Sequence, residues 1–436
     1  MSPENRMFHA AGCRVETEPF DEHSRLVSVY GEAATVVTLE APGYRHTLLT
    51  DLVRRRHLYW RDGSVEIEIP SDGRAWLMVF DPPPEISIFN YQPEPLLKVP
   101  ASEPVAARFP VVDVHAHLGL GDADTTERVR LMDSVNVAVA ITGGFANRGD
   151  TTEDTVSRFV AAAPGRFLAA ATVDWSLVRQ TNGGGLLAER LCEDVTRHGA
   201  VLVNEVHDKG FGVDDHGVGP VPKDPVHLDD PRLDPFWAAA AEMDVPVIVH
   251  CGDDIASYQP WDARNEALRR LYRAPWSRRR PGGLSQEEVH ACRDRLLTRF
   301  PQLRLVAAHL DGYGERLDVV AASLRRYPNL YVELGARHRV LARQPRHAAR
   351  FLREFAGRVL FGGDRAQDAQ TYQEQFRVLE TDDDAFAPLD PVETGPLYGL
   401  DLPDDVLAEL YRDAATRMLP RVAALLRPRR VPTCPQ

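Results

Sequence analysis

Apolar and polar positions alternate in two different rhythms along this chain. Between about Arg25 and Phe89 the rhythm is short. Leu26–Tyr30 and Thr35–Leu39 are β-branched runs, and Val65-Glu66-Ile67-Glu68-Ile69 alternates residue by residue before Pro70-Ser71-Asp72-Gly73 turns and Ala75–Phe80 returns. A period of two with turn residues between predicts a hairpin with one solvated face, and the whole stretch a small antiparallel β domain. Asp81-Pro82-Pro83-Pro84 ends it, and the four prolines between Tyr91 and Arg108 read as an extended linker, which places this domain and its linker at residues 1–108. Packing against the main domain, oligomerisation and covering a site are all open as its role.

From Val111 the pattern changes to short apolar runs alternating with amphipathic segments, the mark of βα units around a parallel sheet. The predicted strands are Val111–Ala116, Val137–Thr142, Phe167–Val173, Ala200–Val206, Val245–His250, Leu303–His309, Leu330–Leu334 and Arg358–Phe361. Helical periods fit Glu127–Asn136, Thr151–Ala163, Leu186–His198, Pro235–Met243, Gln286–Phe300, Glu315–Tyr327 and Pro345–Phe355. A last helix, Pro403–Leu426, opens with a proline and two acids, as helix N-termini prefer. Eight strands alternating with eight helices predict an α/β fold, a (β/α)8 TIM barrel over residues 109–436. An open doubly wound sheet is the alternative, but no glycine-rich phosphate turn follows the first strand. Three connections are long, His207–Asp234, Cys251–Ser285 and Arg365–Leu402, and each follows a strand. In a barrel all three rise on the C-terminal face, where such folds keep their chemistry.

Composition narrows the class. The 436 residues are 44% hydrophobic and 26% charged, ordinary for a globular enzyme, and the formal net charge of −13 argues against nucleic acid or an anionic membrane as partner. The one basic run, Arg278-Arg279-Arg280, reads as a solvated loop. Five cysteines lie scattered without a CxxC pair, the first eighteen residues lack an apolar stretch, and no segment has the length of a membrane span. A cytoplasmic protein acting on a small molecule, assembled as a homo-oligomer (a dimer), is expected.

Candidate chemistry sits at strand ends. In Phe109-Pro110-Val111-Val112-Asp113-Val114-His115-Ala116-His117-Leu118-Gly119 an apolar run ends in two histidines one residue apart. Alternate residues of a strand share a face, so His115 and His117 should point together, with Asp113 on the same face, and two such imidazoles are half of a metal site. The fifth, sixth and eighth strands end likewise, in His250, His309 and Asp364. A single terminal His or Asp reads as a turn or capping residue, but four strands ending in metal-competent side chains on one barrel rim do not.

This set, Asp113-Val114-His115-Ala116-His117, Val247-Ile248-Val249-His250, Ala307-Ala308-His309 and Leu360-Phe361-Gly362-Gly363-Asp364, resembles the amidohydrolase superfamily. The resemblance is closest to its amidohydrolase-related (aminocarboxymuconate-semialdehyde decarboxylase-like) branch and runs from about Val111 to Leu419. It implies that His115, His117, His250 and Asp364 hold one divalent ion, with zinc expected, and that His309 is an acid/base or electrostatic partner beside it. Three imidazoles and a carboxylate suit zinc but also accept manganese, iron or cobalt.

Where many superfamily members carry a lysine, the fourth strand reads Val201-Leu202-Val203-Asn204-Glu205-Val206-His207. Glu205 could ligate or bridge a second ion, or belong to a hydrogen-bond network at the strand end. His207 is read as a loop histidine, with a place beside substrate as the alternative. Arg337 is positioned to pair with a substrate carboxylate, or else with Glu333 or a loop acid, while Tyr258, Trp261 and Trp276 could wall an apolar pocket or simply pack. Asp311 and Arg365 adjoin key positions and could orient them. The expected activity is metal-dependent hydrolysis of an amide, lactone or related bond. Nonoxidative decarboxylation of a small aromatic or unsaturated acid at the same site is the alternative, and a non-catalytic ligand-binding barrel is the third.

Overall fold

The computed structural model of the chain describes residues 8–20, 24–41, 48–52, 56–60, 63–80, 96–118, 124–215, 222–273, 282–364, 368–390 and 395–426. It divides into two compact units, Met1–Pro93 and Glu94–Gln436. The boundary falls within the proline-rich stretch. Residues of that stretch are tied to the larger unit, Ser102 N donating to Asp383 and Arg108 N to Glu380.

The first unit contains two antiparallel sheets. One pairs His9–Ala10, Val36–Glu40 and Ser64–Glu68; the other orders Arg14–Pro19, Ser24–Tyr30, Arg74–Phe80, Leu48–Asp51 and Arg56–Tyr59. The predicted hairpin is not formed. Ser64–Glu68 pairs with Val36–Glu40, whereas Arg74–Phe80 pairs with Ser24–Tyr30 and Leu48–Asp51. The turn at Pro70–Gly73 therefore carries the chain from one sheet to the other. Val65, Ile67 and Ile69 on one side and Ala75, Leu77 and Val79 on the other bury into one shared cluster. Alternation specifies one buried face per strand, and a sandwich corner satisfies that as well as a hairpin does.

The second unit is the predicted barrel. Eight parallel strands, Val111–Ala116, Val137–Thr142, Phe167–Ala171, Leu202–Asp208, Val247–Cys251, Leu305–Ala307, Leu330–Glu333 and Val359–Leu360, are neighbours in chain order. Closure joins the first strand to the segment after the eighth: Val114 N donates to Phe361 O (3.1 Å), Asp364 N to His115 O (2.7 Å) and His117 N to Asp364 O (2.9 Å). Strand side chains such as Val112, Ile141, Leu168, Ile248, Val306 and Leu360 form one buried cluster with Ala414, Met418 and Val422 from the C-terminal helices.

Local chemistry sets the helix ends. Ser285 and Glu288 form a capping box at the start of Gln286–Arg299, whose Val289, Cys292, Leu296 and Leu297 recur on one buried face. The expected helix Pro403–Leu426 is broken into Asp404–Ala408, a wide turn Glu409–Asp413, Ala414–Met418 and Pro420–Leu426. Pro420 cannot continue the hydrogen-bond ladder. The wide turn lets Leu410 O accept from Phe361 N at the barrel seam. A helix that the apolar pattern does not predict, Ala369–Glu380, follows the eighth strand within the long connection Arg365–Leu402. Asp368 caps it, and Tyr372, Phe376 and Leu379 mark its buried face.

Asp113 fastens the seam. Fully buried, its Oδ1 accepts from His115 N (3.1 Å) and Gly363 N (2.8 Å), and its Oδ2 from Tyr372 OH (2.7 Å). The carboxylate is thus spent on closure of the barrel. Burial pushes its pKa up to about 6 against the pull of those donors. Asp113→Ala strands three donors and should cost about 3 kcal/mol in urea unfolding of EDTA-treated protein. Because the folded pKa is raised, the stabilisation by this group grows as pH falls through 6, so the cost should be about 1 kcal/mol larger at pH 5 than at pH 7. A pH-independent cost under 1 kcal/mol would contradict this assignment.

Candidate metal centre at the strand ends

The strand ends bring five imidazoles around one carboxylate. Glu205, on the fourth strand and almost fully buried, lies 2.7 Å from His250 Nδ1 and 3.2 Å from His309 Nε2 through Oε1. Through Oε2 it lies 2.8 Å from His207 Nε2, 3.1 Å from His117 Nε2 and 3.6 Å from His115 Nε2. His115 Nε2 and His117 Nε2 approach to 2.9 Å, and His117 Nε2 lies 3.6 Å from Asp364 Oδ1. His115, His117, His250, His309 and Asp364 therefore gather as expected. Glu205 stands at their centre, and His207 lies on the strand, where it pairs in register with His250, rather than in a loop.

The backbone is bent to achieve this. His309, Leu310 and Asp311 take φ of 58°, 54° and 59°, and Asp364 52°, a left-handed region costly for side-chain-bearing residues. Glu333, at the end of the seventh strand, holds that bend. Its Oε1 accepts from His309 N (2.6 Å) and lies 3.2 Å from His115 Nδ1, while its Oε2 accepts from Gly335 N. A side chain at Gly362 would run into the same Oε2, which explains a glycine there. His309 Nδ1 donates to Gly335 O (2.7 Å), so the ring is fixed and its Nε2 is the nitrogen left for chemistry. Glu333 escaped the sequence reading as a site residue. Its signal, an acid ending an apolar strand, was there but was assigned to pairing with Arg337.

Electrostatics tie the group together. Burial opposes charge on His115, but Glu205 and Glu333 outweigh it and hold its pKa well above the usual range. Burial also opposes charge on Glu205, yet His207, His115 and His250 keep it well below the carboxylate norm. Glu333 falls to about 2 against its burial, through His115 and His309. Burial lowers His117, and burial with Lys209 and His309 lowers His250 to about 4.

These residues fit a divalent cation. Three overlapping groups, His115–His117–Asp364, His115–Glu205–His309 and Glu205–His207–His250, each have donor atoms within 4.8 Å of one another. Donors about 2.0–2.1 Å from a shared zinc stand roughly 2.9–3.4 Å apart, close to the spacings at Glu205. His250 Nε2 is buried with no hydrogen-bond partner among the described residues.

A cavity of about 620 Å³ opens on the cluster, within the range of small-molecule sites. Phe145, stacked on His117 at 5.3 Å, and Trp175 supply apolar lining, and Arg148, Lys209 and Arg337 supply cations. Arg337 thus reaches the site. Asp253, a loop acid after the fifth strand, lies 3.9 Å from it, 3.7 Å from Lys209 and 3.4 Å from His250. Tyr258 and Trp261 are absent from the lining of this cavity; Trp261 packs on Tyr272 instead. The Asp311 carboxylate is buried on Arg293. Trp276 and Arg365 lie outside the described residues. Phe145, Trp175, Lys209 and Asp253 follow strands in loops where no periodicity marks them.

Among the described residues no helix is long and apolar enough to cross a membrane. No curated protein matches the chain. Among solved structures it is similar to a 2,6-dihydroxybenzoate decarboxylase from Rhizobium, at 17% identity over 71% of this chain and 98% of that one, TM-score 0.44. It is also similar to a dihydroxybenzoic acid decarboxylase from Polaromonas sp. JS666 with bound manganese (15%, 71% and 96%, 0.46), and to a 4-oxalomesaconate hydratase from Rhodopseudomonas palustris (15%, 72% and 97%, 0.42). These likenesses are too distant to carry an activity across. The family model described as Amidohydrolase, however, matches residues 112–421, nearly the whole barrel, and the chain belongs to that family.

Proposed function

We propose that the chain is a metal-dependent hydrolase that cleaves an amide, lactone or related bond of a small organic molecule. The observation that carries this reading is the buried set of five imidazoles and the Glu205 carboxylate opening on a cavity of small-molecule size. His115, His117, His250, Glu205 and Asp364 would hold the ion, with zinc as the first choice and manganese or iron also compatible. A divalent ion supplies Lewis acidity, which can lower the pKa of a water from about 15.7 toward about 7. Asp364 takes the proton of the attacking water on a carboxylate oxygen. His309, its Nδ1 committed to Gly335 O, passes a proton from Nε2 to the departing amine or alcohol. Arg337 and Lys209 hold a substrate carboxylate, and Phe145 with Trp175 keeps water from the reacting bond.

One observation favours a second reading, nonoxidative decarboxylation. Arg337 lines the cavity beside Asp364 with its Nε unpartnered among the described residues, a suitable receiver for the carboxylate to be lost. His309 would then protonate carbon. A screen of carboxylated and amide compounds with ¹³C detection separates the two: free amine, alcohol or acid from the cleaved bond supports hydrolysis, and labelled carbon dioxide overturns it in favour of decarboxylation.

Elemental analysis should find divalent metal in the purified wild type and less than one tenth of it in His115→Ala, Asp364→Ala and Glu205→Gln, each still folded by circular dichroism. Full turnover by metal-free Asp364→Ala would refute the assignment. His309→Ala should keep its metal while kcat drops about 10²–10⁴-fold, as for loss of a general acid. Loss of the ion instead would make His309 a ligand.

A further inference from the structure

A second cavity, about 450 Å³, adjoins the first and shares Arg337 and Asp364 with it. Besides Arg337, which it shares with the first cavity, its guanidinium groups are already neutralised within the protein. Arg270 rests on Asp254, Arg339 on Glu374 (2.7 Å) and Arg343 on Glu266 (2.7 Å). Away from Arg337 the chamber is therefore not an anion trap. Its unanswered chemistry is neutral. Gln375, on the helix Ala369–Glu380, lines the chamber and is only 3% exposed. Neither its carbonyl oxygen nor its amide nitrogen has a hydrogen-bond partner among the described residues. Glu315 Oε2, on the same lining, is a further buried oxygen without one.

A buried polar atom without a partner is costly, and a buried amide lacking partners at both ends is rare in folded chains. Elsewhere the helix spends its buried polar groups fully: Glu374 accepts from His338 and Arg339, and Glu380 from Tyr411. Gln375 stands apart from them. A primary amide offers an acceptor and donors side by side, and the group that answers both in one plane is another amide edge, a carbonyl beside an N–H.

We infer that the second cavity is the distal specificity pocket for the substrate, and that Gln375 recognises there an amide, lactam or ureide edge. The substrate class is then a small molecule with its reacting bond at Asp364 and an uncharged amide-type group beyond it. This rests on reading Asp364 as part of the reaction centre. A site built to hydrogen-bond such a group rejects analogues lacking it far more strongly than an apolar pocket rejects a missing methylene.

The test reads binding, not turnover, so it stands or falls apart from the hydrolase proposal. The full chain, with and without EDTA, is titrated with 2-pyrrolidinone, which carries an N–H beside its carbonyl, and with N-methyl-2-pyrrolidinone, which does not, by ligand-detected saturation-transfer NMR. Expected is at least tenfold tighter binding of 2-pyrrolidinone to the wild type than to Gln375→Met or Gln375→Glu. N-methyl-2-pyrrolidinone should bind all three proteins equally weakly, and EDTA should have no effect. Gln375→Met should melt at the wild-type temperature or higher, because it removes two unanswered polar atoms. Equal binding of 2-pyrrolidinone to wild type and variants, equal binding of the two probes, or a clear fall in melting temperature for Gln375→Met would each overturn the inference.

Discussion

A single buried carboxylate organises the catalytic end of the barrel. Glu205 has almost no exposed surface, yet five imidazoles from four strand ends converge on its two oxygens. Removing a charge of that size from water is prohibitive unless opposite charge or a metal accompanies it. Without a metal, the protonated His115 serves that role in part, its pKa lifted by Glu205 and Glu333. A divalent cation does so more completely, displacing protons from the imidazoles as it binds. The charge balance at Glu205 thus links the first, fourth, fifth and sixth strands to one another and to the chemistry proposed.

The scaffold that presents this cluster is strained where it matters. Three consecutive left-handed residues lie at His309–Asp311 and another at Asp364, and of these His309 and Asp364 line the cavity. Hydrogen bonds from buried neighbours brace these segments. Glu333 accepts from His309 N, Asp113 accepts from Gly363 N, and Arg293 grips Asp311. These acids are themselves fully buried, so the polar network doubles as the clamp that closes the sheet into a barrel. Function and closure therefore share residues, and the two cannot be tuned independently.

Much of this is legible from the sequence, because the periodic parts obey simple rules. The eight strands announce themselves as apolar runs, and His115, His117, His250, His309 and Asp364 as polar residues that terminate them. What escapes is what periodicity cannot encode. The helix Ala369–Glu380 buries Glu374, Gln375 and Glu380 among its aromatics, which blurs its apolar stripe. The strands flanking Pro70–Gly73 alternate equally well as a hairpin or as a sandwich corner. Phe145 and Trp175 reach the cavity from loops, while Tyr258 and Trp261, equally aromatic and equally placed after a strand, do not. Only the three-dimensional contacts separate those pairs. Glu205 is legible as a candidate ligand or as a member of a hydrogen-bond network, whereas Glu333, an acid ending an apolar strand, also reads as an ordinary ion-pair partner.

The central claim is that these side chains surround a cation rather than merely one another. Anomalous diffraction from crystals of the metal-loaded chain, recorded at the absorption edge of the metal found in it, tests this directly. The account predicts a peak about 2.0–2.3 Å from Glu205 and from imidazole nitrogens of His115 and His117. A map with no anomalous peak among these residues, the imidazoles bonded only to carboxylates, would contradict it.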